Sequence, residues 1–293
     1  MAKVFVVGMA VVDFVFYLDD LPRNAQKYCA NKAVIVGGGP GANAAVAVNR
    51  LGGQAYFGGR LGDDYLADII TGDLIHEGVD VSYVQRSKDA QSSYSSVYLD
   101  KEGERQIVNF RGSCLIDDTK WINGAPEVDA FLVDSRWVEG AETALTEARD
   151  RGIAGVLDAE EPVDETLLQI ASHIAFSKQG LLSLSKSNHL ETALLEIASL
   201  VPGFCCVTDG EKGTLYVVDQ KVAHVPAFKV SVADSLGAGD IWHGAFALKL
   251  AEGAGVVEGM EFANAAAAIK CTRFGGRQGC PDRSETYSFI EEN

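Results

Sequence analysis

At 293 residues, 47% of them apolar and 23% charged, the chain is long enough for one large α/β core with a small appended subdomain. A formal charge of −16 argues against a nucleic-acid partner and against adhesion to an anionic membrane, and reads as a solvated surface. Six cysteines without a C-x-x-C pair read as reduced, mostly structural thiols, and five scattered histidines lack metal-ligand spacing. No apolar run is long enough to span a bilayer, and Met1-Ala2-Lys3 leads into a strand without an export signal, so a cytoplasmic location is expected.

The first strand is predicted over residues 4–7, followed by Gly8 and an extended stretch; residues 13–36 show no helical period. Next comes the turn Gly37-Gly38-Gly39-Pro40-Gly41-Ala42-Asn43, feeding a helix of small residues that can pack closely and bring its N-terminus near a ligand. Gly37, Gly39 and Ala42 also satisfy the dinucleotide spacing G-x-G-x-x-A. Two features count against that reading. The turn does not follow the first strand directly, and the next strand, 55–57, ends in Gly58-Gly59 with no acidic residue placed for a ribose.

Residues 63–77 carry Leu66, Ile69, Ile70 and Leu74 on one face and stop at Gly78, as a helix does. Residues 92–110 alternate around the turn Asp100-Lys101-Glu102-Gly103, as a hairpin does. Together with 13–36 this hairpin suggests a small β lid able to keep water from a reaction, or a β extension serving dimerisation; the two roles can coexist. Short apolar runs at 130–133, 154–157, 173–176 and 204–208 read as strands buried on both faces. Helical stretches at 141–151, 163–171 and 190–200 separate them, which predicts a mostly parallel sheet with helices on both faces and ligands beyond the carboxyl ends of its strands.

The most informative stretch is Asp234-Ser235-Leu236-Gly237-Ala238-Gly239-Asp240, with a helix over 241–251 behind it. Its glycines let successive N–H groups point into one concavity, and the helix dipole favours an anion there. A carboxylate beside a phosphate cannot serve to bind it. Asp240 therefore reads as an ionised base taking a proton from an attacking hydroxyl, although a Gly-rich turn with an Asp near a helix start has the same composition.

The 37–43 and 234–240 segments, in this order, resemble the two signatures of the PfkB, or ribokinase-like, carbohydrate kinases. Supporting matches are Gly8 to Asp13, Gly59 to Asp64, Val207 to Gly213, and Cys271 to Gly276 with Pro281. The resemblance implies a ribokinase-like three-layer domain over 1–293, with lid segments at about 13–36 and 92–111. It implies transfer of the γ-phosphate of ATP to a sugar hydroxyl, with Mg²⁺ accompanying the nucleotide, and a homodimer formed through the lid. Asp240 would be the base, while the N–H groups of Gly237, Ala238 and Gly239 hold developing charge. Asp13, Gly38, Gly39 and Asn43 would hold the sugar, and Thr208, Gly210 and Gly213 would border ATP. One departure is Ser177-Lys178-Gln179-Gly180, where many members carry Asn-x-x-Glu; Lys178 would replace part of its charge or simply be a surface lysine.

Val11 stands where ribose-specific members place a polar contact. Within the family the sulfofructose kinases are most similar, through Gly37 to Pro40, Lys27-Tyr28, Gly103-Glu104-Arg105, Asn109, Arg136-Trp137, Lys270 to Arg273 and Gly275 to Arg277. That resemblance implies a ketose bearing an anionic group, such as 6-deoxy-6-sulfofructose, held by Arg136 with Asn109 and Lys27. A structural ion pair of Arg136 with Asp134 or Glu139 is the alternative, and Arg111 is a second lid cation that serves the same anion or faces solvent. A fructokinase or ribokinase for a neutral sugar shares the same catalytic residues; a non-catalytic sugar-responsive protein would be expected to lose the base.

Overall fold

Alternation along the first strand decides the architecture, because both of its faces are apolar. In β1 (Lys3–Val7), Val4 and Val6 pack into one buried cluster while Phe5 and Val7 pack into another on the opposite face. A sheet with two such faces needs helices on both sides, and the chain supplies them. The computed structural model describes residues 1–102 and 104–293; Gly103, the last residue of the expected hairpin turn, lies outside the described residues.

After β1 come β2 (Val11–Tyr17), β3 (Lys32–Gly38), α1 (Pro40–Arg50), β4 (Gln54–Gly62), α2 (Tyr65–His76), β5 (Asp80–Ser87), β6 (Tyr94–Leu99) and β7 (Arg105–Phe110). The second half runs β8 (Ala130–Asp134), α3 (Val138–Arg151), β9 (Ala154–Ala159), α4 (Glu165–Leu168), β10 (His173–Ser177), α5 (Lys178–Leu184), α6 (Leu190–Ala198), β11 (Phe204–Thr208), β12 (Thr214–Val218), β13 (Lys221–Val225), α7 (Ala238–Ala251), α8 (Val256–Cys271) and α9 (Arg283–Glu292). The large sheet has the order β13-β12-β11-β10-β9-β8-β1-β4-β5, parallel from β5 to β11. Residues of α1, α2, α7 and α8 cover the Val4 face, and residues of α3, α4, α5 and α6 cover the Phe5 face.

The expected lid is a separate sheet of order β3-β2-β6-β7. Its root is the first strand itself, since three residues separate β1 from β2. Register places Asp13 beside Ser95, and Ser95 beside Asn109. Residues paired across a sheet share a face, so these three polar side chains line up on one side of the lid.

Several boundaries differ from the sequence reading. β4 does not end at Phe57 but runs through both glycines to Gly62, because rings of the neighbouring Phe5 and Trp121 lie where a Gly58 side chain would go. The helix expected at 163–171 is a single turn, α4, capped by Asp164 accepting from the Thr166 N–H at 2.9 Å. In α2, capped by Asp64, the buried line is Ala67, Ile70 and Leu74, spaced for one face, while Ile69 points outward at 41% exposure. Three strands have no counterpart in the sequence reading: β5, parallel to β4 at one edge of the large sheet, and β12 and β13, an antiparallel hairpin at the other edge turned by Asp219 and Gln220 at φ 50° and 59°. That pair of positive φ values fits a two-residue hairpin turn, and the Asp-Gln pair is not the usual signal for one.

Two glycine substitutions separate close packing from open space. Gly58→Val places carbon 2.9 Å from both the Phe5 and Trp121 rings, and we expect a loss of about 1–3 kcal/mol. Gly72→Ala on α2 meets no atom within 4 Å, and we expect a gain of about 0.5–1 kcal/mol. Urea unfolding midpoints measure both; the opposite ordering would refute the packing described for β4.

Candidate active site

Asp134 ends β8 and organises the carboxyl edge of the sheet. Its buried Oδ2 accepts the N–H of Met9 at 2.7 Å and of Gly41 at 3.0 Å, and Oδ1 accepts the Arg136 N–H at 2.9 Å. One carboxylate thus ties the root of the lid to the first turn of α1. Gly8 has no alternative, since a Cβ there would lie 2.2 Å from Asp134 Oδ2. Gly39, at φ 94°, passes close to the Met9 carbonyl, where a Cβ would come within 2.5 Å.

Asp13 on β2 faces Gly38, whose missing side chain leaves room for the carboxylate: a Cβ there would lie 2.3 Å from Asp13 Oδ2. Burial pushes the Asp13 carboxyl up, partly offset by a hydrogen bond from Ser95 and by the Arg277 charge. Asn109 donates to Ser95 Oγ at 2.9 Å, so it joins Asp13 through one hydroxyl. Ser95 itself gave no sequence signal beyond strand alternation.

The second turn meets the first at Asn43. Gly237 caps α7 in the left-handed conformation at φ 76°, putting Asp240 in the helix's first turn. There Asn43 Nδ2 donates to Asp240 Oδ2 at 2.6 Å. Asn43 Oδ1 is buried and has no hydrogen-bond partner among the described residues, an acceptor left over for a ligand hydroxyl. The two helices can approach this closely because Gly244 lies against the Ala44 carbonyl, where a Cβ would come within 2.5 Å.

Burial pushes the Asp240 carboxyl up to about 6; the Asn43 hydrogen bond and Arg136 oppose this, while the Glu160 and Asp134 charges add to it. Its carboxylate is therefore held ionised far less firmly than that of an ordinary aspartate. Beneath it lies an unpredicted pair. His243 Nε2 is 3.4 Å from Asp158 Oδ1 and 3.2 Å from the Ala175 carbonyl, and Nδ1 is 2.8 Å from the Gly239 carbonyl. Burial, reinforced by the Asp240, Glu160 and Asp134 charges, raises Asp158 well above its usual range, and burial lowers His243. Both lean towards neutral forms. A polar residue ending a buried strand was the available signal for Asp158.

Arg136 follows β8 at this edge, but its partner is neither Asp134 nor Glu139. The guanidinium pairs with Glu160 and donates to the Glu161 carbonyl at 2.8 Å, while Asp134 takes only its main-chain N–H. Lys27 and Arg111 are exposed on the lid.

Thr208 ends β11, and its hydroxyl lies 3.4 Å from the Phe176 carbonyl. Gly210 and Gly213 follow at φ 56° and 93°, and a Cβ on Gly213 would lie 2.3 Å from the Val225 carbonyl. Asp209, between Thr208 and Gly210, holds Lys178 Nζ at 2.9 Å and Lys212 Nζ at 3.4 Å. This turn borders a cleft of about 1050 Å³ lined by His189, Leu190, Thr192, Asp209, Lys212 and Gly213. Ser177 caps α5 by accepting the Gly180 N–H at 3.0 Å. At position 180 a Cβ would come within 2.1 Å of the Ala159 carbonyl, so this packing has no room for a glutamate. Among the described residues, no group of three or more His, Cys, Asp or Glu is placed to hold a metal, and no helix is long and apolar enough to cross a membrane.

The chain resembles known proteins over its full length. It is 28% identical over 299 residues to a ribokinase of Bacillus subtilis, covering 99% of this chain and 100% of the relative. A fructokinase of Zea mays is 28% identical over 289 residues, covering 87% of this chain and 88% of the relative. A crystal structure from Agrobacterium tumefaciens, provisionally named a ribokinase, superposes with a TM-score of 0.93 at 35% identity, covering 99% of this chain and 98% of that one. The model of the pfkB family of carbohydrate kinases matches residues 1–283. With its ribokinase-like sheet, separate lid and paired glycine turns, the chain belongs to the pfkB family of carbohydrate kinases, phosphotransferases that act on an alcohol group.

Proposed function

We propose that the enzyme transfers the γ-phosphate of ATP to a sugar hydroxyl, with Asp240 as the base. The observation that carries this is the 2.6 Å contact between Asn43 and Asp240, which brings the sugar-side turn to the phosphate-side turn. The sugar is held by Asp13, the Gly38 and Gly39 backbone and the free Asn43 oxygen, which orients one hydroxyl towards Asp240. The N–H groups of Gly237, Ala238 and Gly239 meet charge that develops on the phosphoryl oxygens. ATP lies along the edge from this loop to Thr208, Gly210 and Gly213. Mg²⁺ accompanies its phosphates rather than filling a preformed cage, and the negative charge at this edge, where the Glu160 carboxylate raises the proton affinity of both Asp158 and Asp240, fits a divalent cation nearby.

For the acceptor we propose a ketose carrying an anionic group, such as 6-deoxy-6-sulfofructose. Arg136 stands at the ligand-facing end of β8, and Asn109 shares a lid face with Asp13. Lys27, exposed on the loop between β2 and β3, is assigned to the same anion. Glu160 then holds the Arg136 fork in place. The Arg136–Glu160 pair also favours a second reading, a neutral sugar, because a guanidinium already paired has less charge to offer an anion. The ribokinase and fructokinase names of its relatives agree with that reading. The exposed β7 residues Ile107 and Val108 support a homodimer through the lid; sedimentation showing monomer across a concentration series would exclude it.

Asp240→Asn should keep sugar binding and lose turnover by about 10²–10⁴. In the native enzyme the carboxylate is the active form, so kcat/KM should hold above about pH 6 and fall tenfold per unit below it. Near-normal turnover in the variant, or a native profile flat to the ordinary carboxylate range near ~4, would refute the assignment. A panel of neutral, sulfonated and phosphorylated ketoses, with and without Mg²⁺, should show ADP release fastest for an anionic ketose and only with the metal. Preference for free fructose would establish the neutral reading instead.

A further inference from the structure

Lys270 is wholly buried in the last turn of α8, and no step proposed above uses it. An ammonium withdrawn from water is costly unless dipoles and charges replace its hydration. Its replacements converge on one loop. Nζ donates to the Asp234 main-chain carbonyl at 2.6 Å and to the Arg273 carbonyl at 3.4 Å, and stands 3.3 Å from Asp234 Oδ2. The same carboxylate accepts the Leu236 N–H at 2.8 Å on Oδ1, and the Gly275 and Gly276 N–H groups at 3.0 and 3.4 Å on Oδ2. The Ala233 and Asp234 N–H groups donate to the Cys271 carbonyl at 2.8 and 3.1 Å.

Three segments therefore meet at the Lys270–Asp234 pair: the start of the Asp234 to Asp240 loop and the end of α8 at the ammonium, and the Gly275-Gly276 turn at the Asp234 carboxylate. Gly237 rests on that turn, its missing Cβ 3.7 Å from the Arg277 nitrogen. Only backbone dihedrals within a short loop separate Asp234 from the N–H groups of Gly237, Ala238 and Gly239.

We propose that Lys270 is a positioning residue for phosphoryl transfer, an internal cation that fixes the main chain at Asp234 and so sets where the loop's N–H groups and Asp240 meet the transferred phosphoryl group. Its role differs from that of a core filler. A neutral side chain of similar length would occupy the space but could neither donate to two carbonyls nor balance the Asp234 carboxylate.

The inference rests on the assignment of this loop as the phosphoryl-transfer site, which Asp240→Asn tests separately. Lys270→Met should fold and lose kcat by about 10–100-fold, the scale of a misplacement near 1 Å. Its sugar KM should be unchanged, because the sugar contacts lie on β2 and α1 and at the end of β3. Hydrogen exchange in the 234–241 segment should quicken. In Lys270→Ala, added ethylammonium should restore part of kcat, and it should leave Lys270→Met unmoved because methionine fills the space. Native kcat and native exchange in Lys270→Met, or no recovery of Lys270→Ala with ethylammonium, would overturn the proposal. Loss in Lys270→Met beside a fully active Asp240→Asn would instead indict the site assignment.

Discussion

The molecule turns on the close approach of α1 and α7. Gly244 against the Ala44 carbonyl removes the side chain that would hold the two helices apart. Their N-terminal turns, almost two hundred residues apart in the chain, then share the Asn43–Asp240 hydrogen bond. Each helix presents its positive end to the same space, which suits an anion on one side and a hydroxyl about to lose its proton on the other. The small residues after Asn43 are thus a requirement of the site as much as of the core.

Around that contact the edge of the sheet concentrates negative charge. Asp134 is structural, fully occupied by three N–H groups. Asp240 is left with one side-chain donor and a raised proton affinity, which suits the role of base proposed for it. Asp158 and His243 lie behind it, dry and inclined to be neutral. The cations stand further out, Arg136 against Glu160 and Lys178 against Asp209, so each arrives already oriented by a carboxylate.

Much of this was legible beforehand, for identifiable reasons. Unbroken apolar runs such as Phe204 to Thr208 can only be strands buried on both faces, and they appear where expected. Asp240 and Asn43 stood out because glycines flanked them. Gly58 and Gly59 misled because a glycine that ends a strand and one that admits a neighbouring ring look alike in sequence. Asp158 and His243 stayed hidden among apolar residues, and Lys270 stood out only within the match Lys270 to Arg273, with no role attached; the Asp158–His243 partners are 85 positions apart. The Arg136–Glu160 pair likewise depends on the adjacency of β8 and β9, which no local pattern reveals.

Above all, Asp240 is a partly buried carboxylate whose proton affinity burial raises and the Asn43 hydrogen bond restrains. Carboxyl-carbon NMR titration of Asp240 in the native enzyme and in Asn43→Ala tests this directly. The expected midpoint is about 6 in the native enzyme and higher in the variant, where the stabilising donor is gone. A midpoint in the ordinary aspartate range near ~4, unmoved by the substitution, would contradict it.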